Sequence, residues 1–557
     1  MMQIFVGEEK LLKSMRCTFL RAVLMQKLMK IVDGLFVALM VCTYCVGVWV
    51  ICFKGVGYWI DFITDDSYYY LGVARSVVDY GISAFLPPFS TNGYQPLWLL
   101  IIVITSKMFG TSDISLVLQV FSLSFFFVGI FCLLSKKIYG YAFPAIVCLL
   151  AFPDVGLSGM ETSLVPMLVL TLFRKMVWWK KGGVGALLFL ARLDALALVV
   201  FESLYEFMFK RGREIKSSLV LLLVVSAYFI VNYEIFGVFV PVSGLSKAVG
   251  NVVGENYSVV KSYWHGFSPI LVISVLYCCI VLFFSNKPAL HFKKELAVVM
   301  ASLVLEVAYY STLSGWPVWG WYMWPLAMLT YFLVLEIVLG IGSFAKHGHS
   351  VVVNGAALLF LFISVLYLCI PGFVRCGGIF LRLTDLGDRG YLTKNFELAS
   401  YVKQKFPAGT FFAMGDRAGS FGFFLGNNYR FLHTEGLVAS SDYYKYMKRD
   451  AGREFLESHK VQYLVAERDR FFMYGDYIGV AEPVQGLSSH IGPYLLCFSK
   501  KGIVLDQSYI GKNGFKNKRY LLDFKDEKEC PQVIRDEFYS LRQKYGELRK
   551  FSLYSEY

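Results

Sequence analysis

At 557 residues the chain could divide into several soluble domains, yet 56% of it is hydrophobic and only 17% is charged. With a mean hydropathy of +0.54, such a chain cannot cover its surface with polar groups in water. The net charge of +13 would suit nucleic acid, but the basic residues gather in short loops beside apolar stretches: Lys10 to Lys30, Arg174 to Lys181, Lys210 to Arg213, Lys287 to Lys294, and Lys346. That is positive-inside patterning, which can touch anionic lipid heads and leaves no separate basic stripe for nucleic acid.

Apolar stretches near ~20 residues, the length that crosses the hydrocarbon layer, recur until about residue 372. The first, residues 31–53, follows a basic flank and has no small-residue cleavage site, so it reads as a signal anchor running outward. Residues 54–95 are then an outer loop. Counting back from Lys346, the stretches at 351–370, 321–343, 296–314, 268–286 and 217–239 alternate with the basic loops and deliver the C-terminal part outside. Two basic groups, 174–181 and 210–216, flank one apolar run interrupted by Arg192-Leu193-Asp194. Two short helices meeting at that outer turn satisfy both flanks, and Glu161 then also lies outside. A forward count through 97–109, 114–134 and 140–153 gives Glu161 the opposite side. One of these three stretches is therefore expected not to cross, or Lys136 and Lys137 break the charge rule. The total expected is 11 to 13 spans, covering residues 1–374.

Residues 375–557 carry ordinary charge density and read as a soluble α/β domain. Strands are expected at 409–414, 461–466 and 490–499, and helices at 393–405 and 442–459. Most of the twelve cysteines lie in apolar segments as small hydrophobes. Cys376, Cys497 and Cys530 in the soluble part are an odd number without metal-like spacing, so neither a disulfide framework nor a zinc site is expected.

The outer loop holds the most informative stretch, Asp65-Asp66-Ser67-Tyr68-Tyr69-Tyr70-Leu71-Gly72-Val73-Ala74-Arg75. Tyr70, Val73, Ala74, Val77 and Val78 follow helical spacing, so a helix over 66–80 is expected, ended by Gly81. Asp65 and Asp66 then stand at its N-terminus, where the dipole favours their ionised form. Neighbouring positions on a helix point about 100° apart. One carboxylate can therefore address a substrate hydroxyl while the other holds backbone, a cation or a metal; both can equally serve as helix caps. Thr91-Asn92-Gly93-Tyr94-Gln95-Pro96-Leu97-Trp98 follows, a turn leading into a helix with Pro96 in its first turn.

The order of these motifs resembles the GT-C superfamily of polytopic glycosyltransferases. After the acidic pair and TNGYQPLW come Ser158-Gly159-Met160-Glu161-Thr162, Ala191-Arg192-Leu193-Asp194, and Phe236-Gly237 with Pro241 to Lys247. That series is similar to bacterial arabinofuranosyltransferase-like members acting in cell-wall arabinan assembly or type IV pilin glycosylation. Gly415-Asp416-Arg417-Ala418-Gly419 and Glu435-Gly436-Leu437 are similar to the family's outer domain. The chain departs from relatives at Leu193-Asp194, Trp321-Tyr322 and His433.

The resemblance implies a polyprenyl-phosphate sugar donor, an acceptor that is a surface glycan or pilin-like protein, and a bacterial inner-membrane location. Asp65, with Asp66 as second choice, would be the base or nucleophile. Arg192 and Lys247, with Arg75 in reserve, would meet the donor phosphate. Glu161, Asp194, Asn92, Gln95, Trp98, Trp321 and Tyr322 would line the substrate site. A divalent cation (Mg2+, Mn2+ or Ca2+) would sit on Asp65 and Asp66 if anywhere. The tryptophan-rich run 315–324 suits sugar stacking or an interfacial belt, and His265, His433, His347 and His349 read as loop residues. Two other functions compete: an oligosaccharyltransferase or glycan ligase, and a transporter of lipid-linked glycans.

Overall fold

The computed structural model describes residues 27, 30–210, 215–248, 257–284, 291–314, 316, 318–346, 351–385, 390–467, 471–482, 494–510 and 516–551. His347 and His349 lie outside them. Among the described residues six helices are long and apolar enough to cross a membrane: Lys30–Phe53, Asp113–Tyr139, Lys216–Phe236, Lys293–Leu313, Gly320–Leu339 and Ile363–Leu381. Shorter apolar helices fill the bundle between them, and side-chain contacts show which end each one reaches.

One end is marked by Ser158, whose carbonyl accepts from Thr64 N at 3.0 Å and Ser67 Oγ at 2.7 Å, and by Arg375, which donates to the Phe62 carbonyl. The other end is marked by Asp33 accepting from Ala142 N, by the Tyr139–Phe292 ring pair, and by Lys181 and Lys294 bridging Glu202 and Glu206. Among the described residues eleven passes run between these ends. They are Lys30–Phe53, Asp113–Tyr139, Phe143–Ala151 continued by Pro153–Leu157, Val165–Leu172, Trp178–Ala191, Leu196–Lys210, Ile215–Phe236, Tyr257–Phe284, Lys293–Leu313, Trp324–Lys346 and Val351–Leu381.

The apolar Pro96–Phe109 helix is not one of them. Gln95 N, just before it, donates to the Tyr70 hydroxyl at 3.1 Å. Arg75 reaches Thr111 O (3.2 Å) and Asp113 (2.5 Å) just after it. Both its ends therefore lie along the Asp65–Tyr80 helix. This removes the conflict in the forward count: 97–109 is the stretch that stays at one end, and Glu161 shares that end with Asp65.

The expected helix after the acidic pair forms as Asp65–Tyr80 and stops at Gly81, whose φ of +70° is the left-handed cap. The last apolar helix continues past residue 374 to Leu381, and Arg382 pairs with Asp61 beyond it.

The C-terminal domain has two sheets. In the first, β1 (Phe411–Met414) lies parallel to both β2 (Arg430–His433) and β3 (Tyr463–Glu467). On its far side β3 pairs antiparallel with Lys516–Asp523, which pairs with Ile503–Ile510 and completes the sheet. The second sheet is antiparallel, in the order Phe471–Tyr474, Tyr477–Glu482, Tyr494–Ser499, Glu527–Lys528. The helix expected at 442–459 is two, Ser441–Lys448 and Gly452–Ser458, because Asp450 between them adopts φ +59° and no helix continues through that conformation.

The cysteine expectation is corrected. Cys376 is buried within the last membrane helix, which leaves a pair in the domain, and Cys497 and Cys530 form a disulfide with Cα atoms 5.1 Å apart. With a sequence separation of 33, the bond is expected to stabilise the domain by about 3–4 kcal/mol through loop closure. Thermal unfolding of Cys530→Ser against the parent, each with and without reductant, checks this: reductant should move only the parent.

Candidate active site

The Asp65–Tyr80 helix sits between the bundle and the C-terminal domain, and its first turn carries both carboxylates. Asp65 points into the domain. Its Oδ2 accepts from Gly419 N at 2.9 Å, and its Oδ1 accepts from Ser420 N at 2.8 Å and Ser420 Oγ at 2.7 Å. A Cβ on Gly419 would lie 2.2 Å from the Asp65 carbonyl, so only glycine permits this approach. Asn395 holds Ser420 Oγ and the Arg417 carbonyl, both at 2.7 Å, and is itself held by the buried Arg519. Burial pushes the Asp65 carboxyl above its ordinary range while the Ser420 and Gly419 donors oppose that shift. These donors hold Asp65, the first-ranked candidate base, against the C-terminal domain.

Asp66 points the other way. No hydrogen-bond partner meets its carboxylate among the described residues, and it is only partly buried. Burial raises it to about 7; Lys247 opposes the shift, and Asp65, Glu161 and Asp416 add to it. Lys247 donates to the Tyr322 hydroxyl and lies 5.6 Å from the Trp316 ring centre. Its short helix, Val242–Ala248, is pinned to the outer domain by Ser246 Oγ donating to Gly436 O at 3.1 Å.

Behind this pair stands a buried polar wall. Glu161 accepts from Tyr70 Oη and Arg192 Nη1, both at 2.9 Å. Arg192 also forks onto Asp194, with Nε–Oδ1 at 2.9 Å and Nη2–Oδ2 at 2.7 Å, and its guanidinium covers the Tyr322 ring at 4.8 Å. Tyr310 donates to Asp194 at 3.0 Å. Burial pushes Glu161 up while Arg192 opposes it. The Arg192 turn forms because Trp178–Ala191 and Leu196–Lys210 meet there, with Gln95 Oε1 accepting from Leu193 N at 3.2 Å.

Solved structures with a similar arrangement include ArnT from Cupriavidus metallidurans bound to undecaprenyl phosphate. It is 13% identical with a TM-score of 0.49, over 78% of this chain and 92% of that one. The apo state of that protein gives 12% and 0.47 over the same shares. An Archaeoglobus fulgidus oligosaccharyltransferase in complex with zinc and sulfate is 13% identical with a TM-score of 0.39, over 77% of this chain and 68% of that one. No protein-family model matches the sequence, and no curated protein matches it.

The remaining expected residues divide by what they touch. Arg75 lies apart from the other candidate phosphate residues. It is ten positions along the helix, about 15 Å from Asp65, and is spent on Thr111, Asp113 and the Phe423 carbonyl. Arg192 is 3% exposed and engaged with two carboxylates, so it braces the site. Trp98 is fully buried and donates to the Gly159 carbonyl at 3.2 Å, which leaves no face for a sugar. Asn92 ties the turn to Asn232 Oδ1 (3.1 Å) and Val242 N (2.9 Å). Glu161, Asp194, Asn92 and Gln95 are thus each engaged with protein partners. Tyr322 does border the Asp66–Lys247 space, and Trp321 stacks on the half-exposed Trp319 at 5.9 Å.

Three donors already meet the Asp65 carboxylate, and no group of three His, Cys, Asp or Glu side chains that could hold a metal occurs among the described residues.

Three contributors went unread in the sequence. His433 ends β2 fully buried, with Nε2 2.9 Å from Tyr69 Oη, and burial lowers it to about 3, so it is a neutral brace and not a loop residue. Tyr70, read as an apolar helix position, supports Glu161. Asp416 reaches Asp66 electrostatically from the domain, and only its motif pointed to it.

Proposed function

We propose that this chain is a GT-C-type glycosyltransferase that moves a sugar from a polyprenyl-phosphate donor to an acceptor hydroxyl outside the cytoplasm. The observation that carries the reading is a carboxylate, Asp66, with no hydrogen-bond partner among the described residues and within the field of the Lys247 ammonium, at one end of a membrane bundle and beneath a soluble domain. The positive-inside loops and the Cys497–Cys530 disulfide both favour an outward-facing domain, since such bonds persist in oxidising compartments.

In the reaction the bond between the sugar's anomeric carbon and the phosphate oxygen breaks, and the acceptor oxygen forms the new bond. Asp66 takes the acceptor proton, or attacks the anomeric carbon first in a retaining route. The prenyl phosphate leaves with the electron pair, and Lys247, released from the Tyr322 hydroxyl, meets its charge. Arg192, Glu161 and Asp194 keep Tyr322 and the turn in place. Asp65 holds the domain over the site.

The motif order points first to arabinofuranosyl donors, with a surface glycan or pilin-like protein as acceptor. The glycan ligase reading shares this architecture but has no carboxylate cluster for an ion among the described residues. The transporter reading calls for charges near the midplane, whereas the charged groups described here gather towards the two ends of the bundle.

The deciding experiment offers a panel of polyprenyl-phosphate monosaccharides to the purified protein in lipid, with and without chelator. Sugar transfer from at least one is expected; flipping of the lipid without transfer would sink the reading. In the same assay Lys247→Ala should lower kcat/KM for the donor by on the order of 10²-fold. The acceptor KM should move little, and an equal loss for both substrates would remove Lys247 from the phosphate.

A further inference from the structure

At the bundle end away from Asp66, the sequence Trp178-Trp179-Lys180-Lys181-Gly182-Gly183 opens the Trp178–Ala191 helix. Helical geometry sends its two lysines in different directions. Lys181 is buried and bridges Glu202 at 2.6 Å, in a set with Lys294 and Glu206. That set of two lysines and two glutamates is self-neutralising. Lys180 faces out instead, 5.2 Å from the centre of the exposed Trp179 ring.

The two glycines divide in the same way. A Cβ on Gly182 would come within 2.5 Å of the Ser217 carbonyl, so this glycine lets the Ile215–Phe236 helix pack close; a Cβ on Gly183 would meet nothing within 4 Å. Over Gly183 lies a groove of about 690 Å³. Its mouth carries Arg174, Lys175 and Lys180, its walls further in are Leu187, Leu190 and Val224, and among the described residues no acidic side chain lines it. Arg174 and Lys175 are exposed and have no side-chain partner among the described residues.

We propose that this groove seats one anionic phospholipid, its phosphate at the Arg174–Lys175–Lys180 mouth and an acyl chain along Leu187, Leu190 and Val224. Three cations above an apolar slot match the two halves of such a lipid. A zwitterionic lipid brings an ammonium that this mouth repels, and a free phosphate leaves the slot empty. The seat is independent of the chemistry at Asp66.

The test titrates the purified full chain in detergent with phosphatidylglycerol, phosphatidylcholine or inorganic phosphate, counting bound lipid by native mass spectrometry and following the thermal midpoint. One retained phosphatidylglycerol and an upward shift are expected, with no shift from the other two. Gly183→Leu, which fills the groove without changing charge, and the triple variant Arg174→Gln, Lys175→Gln, Lys180→Gln should each weaken retention roughly tenfold or more. Lys136→Gln with Lys137→Gln, two exposed lysines at the same end, should not. Full retention in either groove variant, equal loss in the Lys136/Lys137 control, equal binding of phosphatidylcholine, or displacement by inorganic phosphate would each overturn the proposal.

Discussion

Replacing Asp66 with Asn is expected to lower turnover by roughly 10²–10⁴-fold, the range for removal of a positioned base, while the protein stays folded. The two carboxylates at the head of the helix make opposite predictions. Asp66 has no donor to lose, so its neutralisation removes charge from a site that also holds Asp65, Glu161 and Asp416. Asp65→Asn turns an amide N–H₂ towards the Gly419 and Ser420 donors, and a buried donor left unmatched costs about 1–3 kcal/mol. That variant should lose activity through a loosened domain contact, visible as faster proteolysis between the modules. If Asp65→Asn were inactive with its stability and proteolysis unchanged, and Asp66→Asn were active, the assignment would be reversed.

The pH dependence follows from the same environment. Asp66 must be ionised to accept a proton, and burial raises it to about 7. Turnover in the parent should therefore climb as pH rises through about 7 and level off above it. Stability runs the other way. A carboxyl raised on folding contributes stability that is complete below its unfolded value near 3.8 and is lost as pH rises through about 7. Asp66→Asn should accordingly raise the thermal midpoint at pH 8 and change it little at pH 3. A midpoint that fell equally at both would mean that Asp66 is a structural residue.

Much of this site was legible because its parts are local. The spacing of Tyr70, Val73, Ala74 and Val77 with Gly81 sufficed for the helix, and two basic flanks sufficed for the break at Arg192. What escaped depended on distant partners. Nothing near Asp65 reveals that its carboxylate accepts from residues 354 and 355 positions away, so it ranked ahead of Asp66 as base. Pro96–Phe109 is as apolar as a true span: it buries Trp98, Leu99 and Ile102 and leaves Leu100, Ile104, Met108 and Phe109 exposed, and composition cannot tell an apolar helix that stays at one end from one that crosses. The strand Lys516–Asp523 opens Lys-Asn-Lys-Arg, with no alternation of apolar residues, and is defined by pairing with Tyr463–Glu467. The disulfide was hidden by counting Cys376 with the soluble domain when it belongs to the membrane helix.

Arg192→Ala is expected to destabilise the bundle by about 3–5 kcal/mol, because it strips the cation from Glu161, which is 2% exposed, and leaves an uncompensated buried charge. Arg192→Lys should recover only part of the loss, since one ammonium cannot fork onto Asp194 and still reach Glu161. A double variant, Arg192→Met with Glu161→Gln, removes both charges together. The amide oxygen introduced by Glu161→Gln can still accept from Tyr70, but Asp194 keeps its charge and loses the Arg192 fork while the Tyr310 hydroxyl stays, so stability should recover in part. This variant separates a brace from a phosphate ligand. If Arg192 only holds Tyr322 and the turn in place, the folded double variant should lose kcat while its KM for the prenyl-phosphate donor stays within a few-fold of the parent. A donor KM raised as far as in Lys247→Ala would show that the guanidinium itself meets the phosphate, turning away from Asp194 when the donor enters.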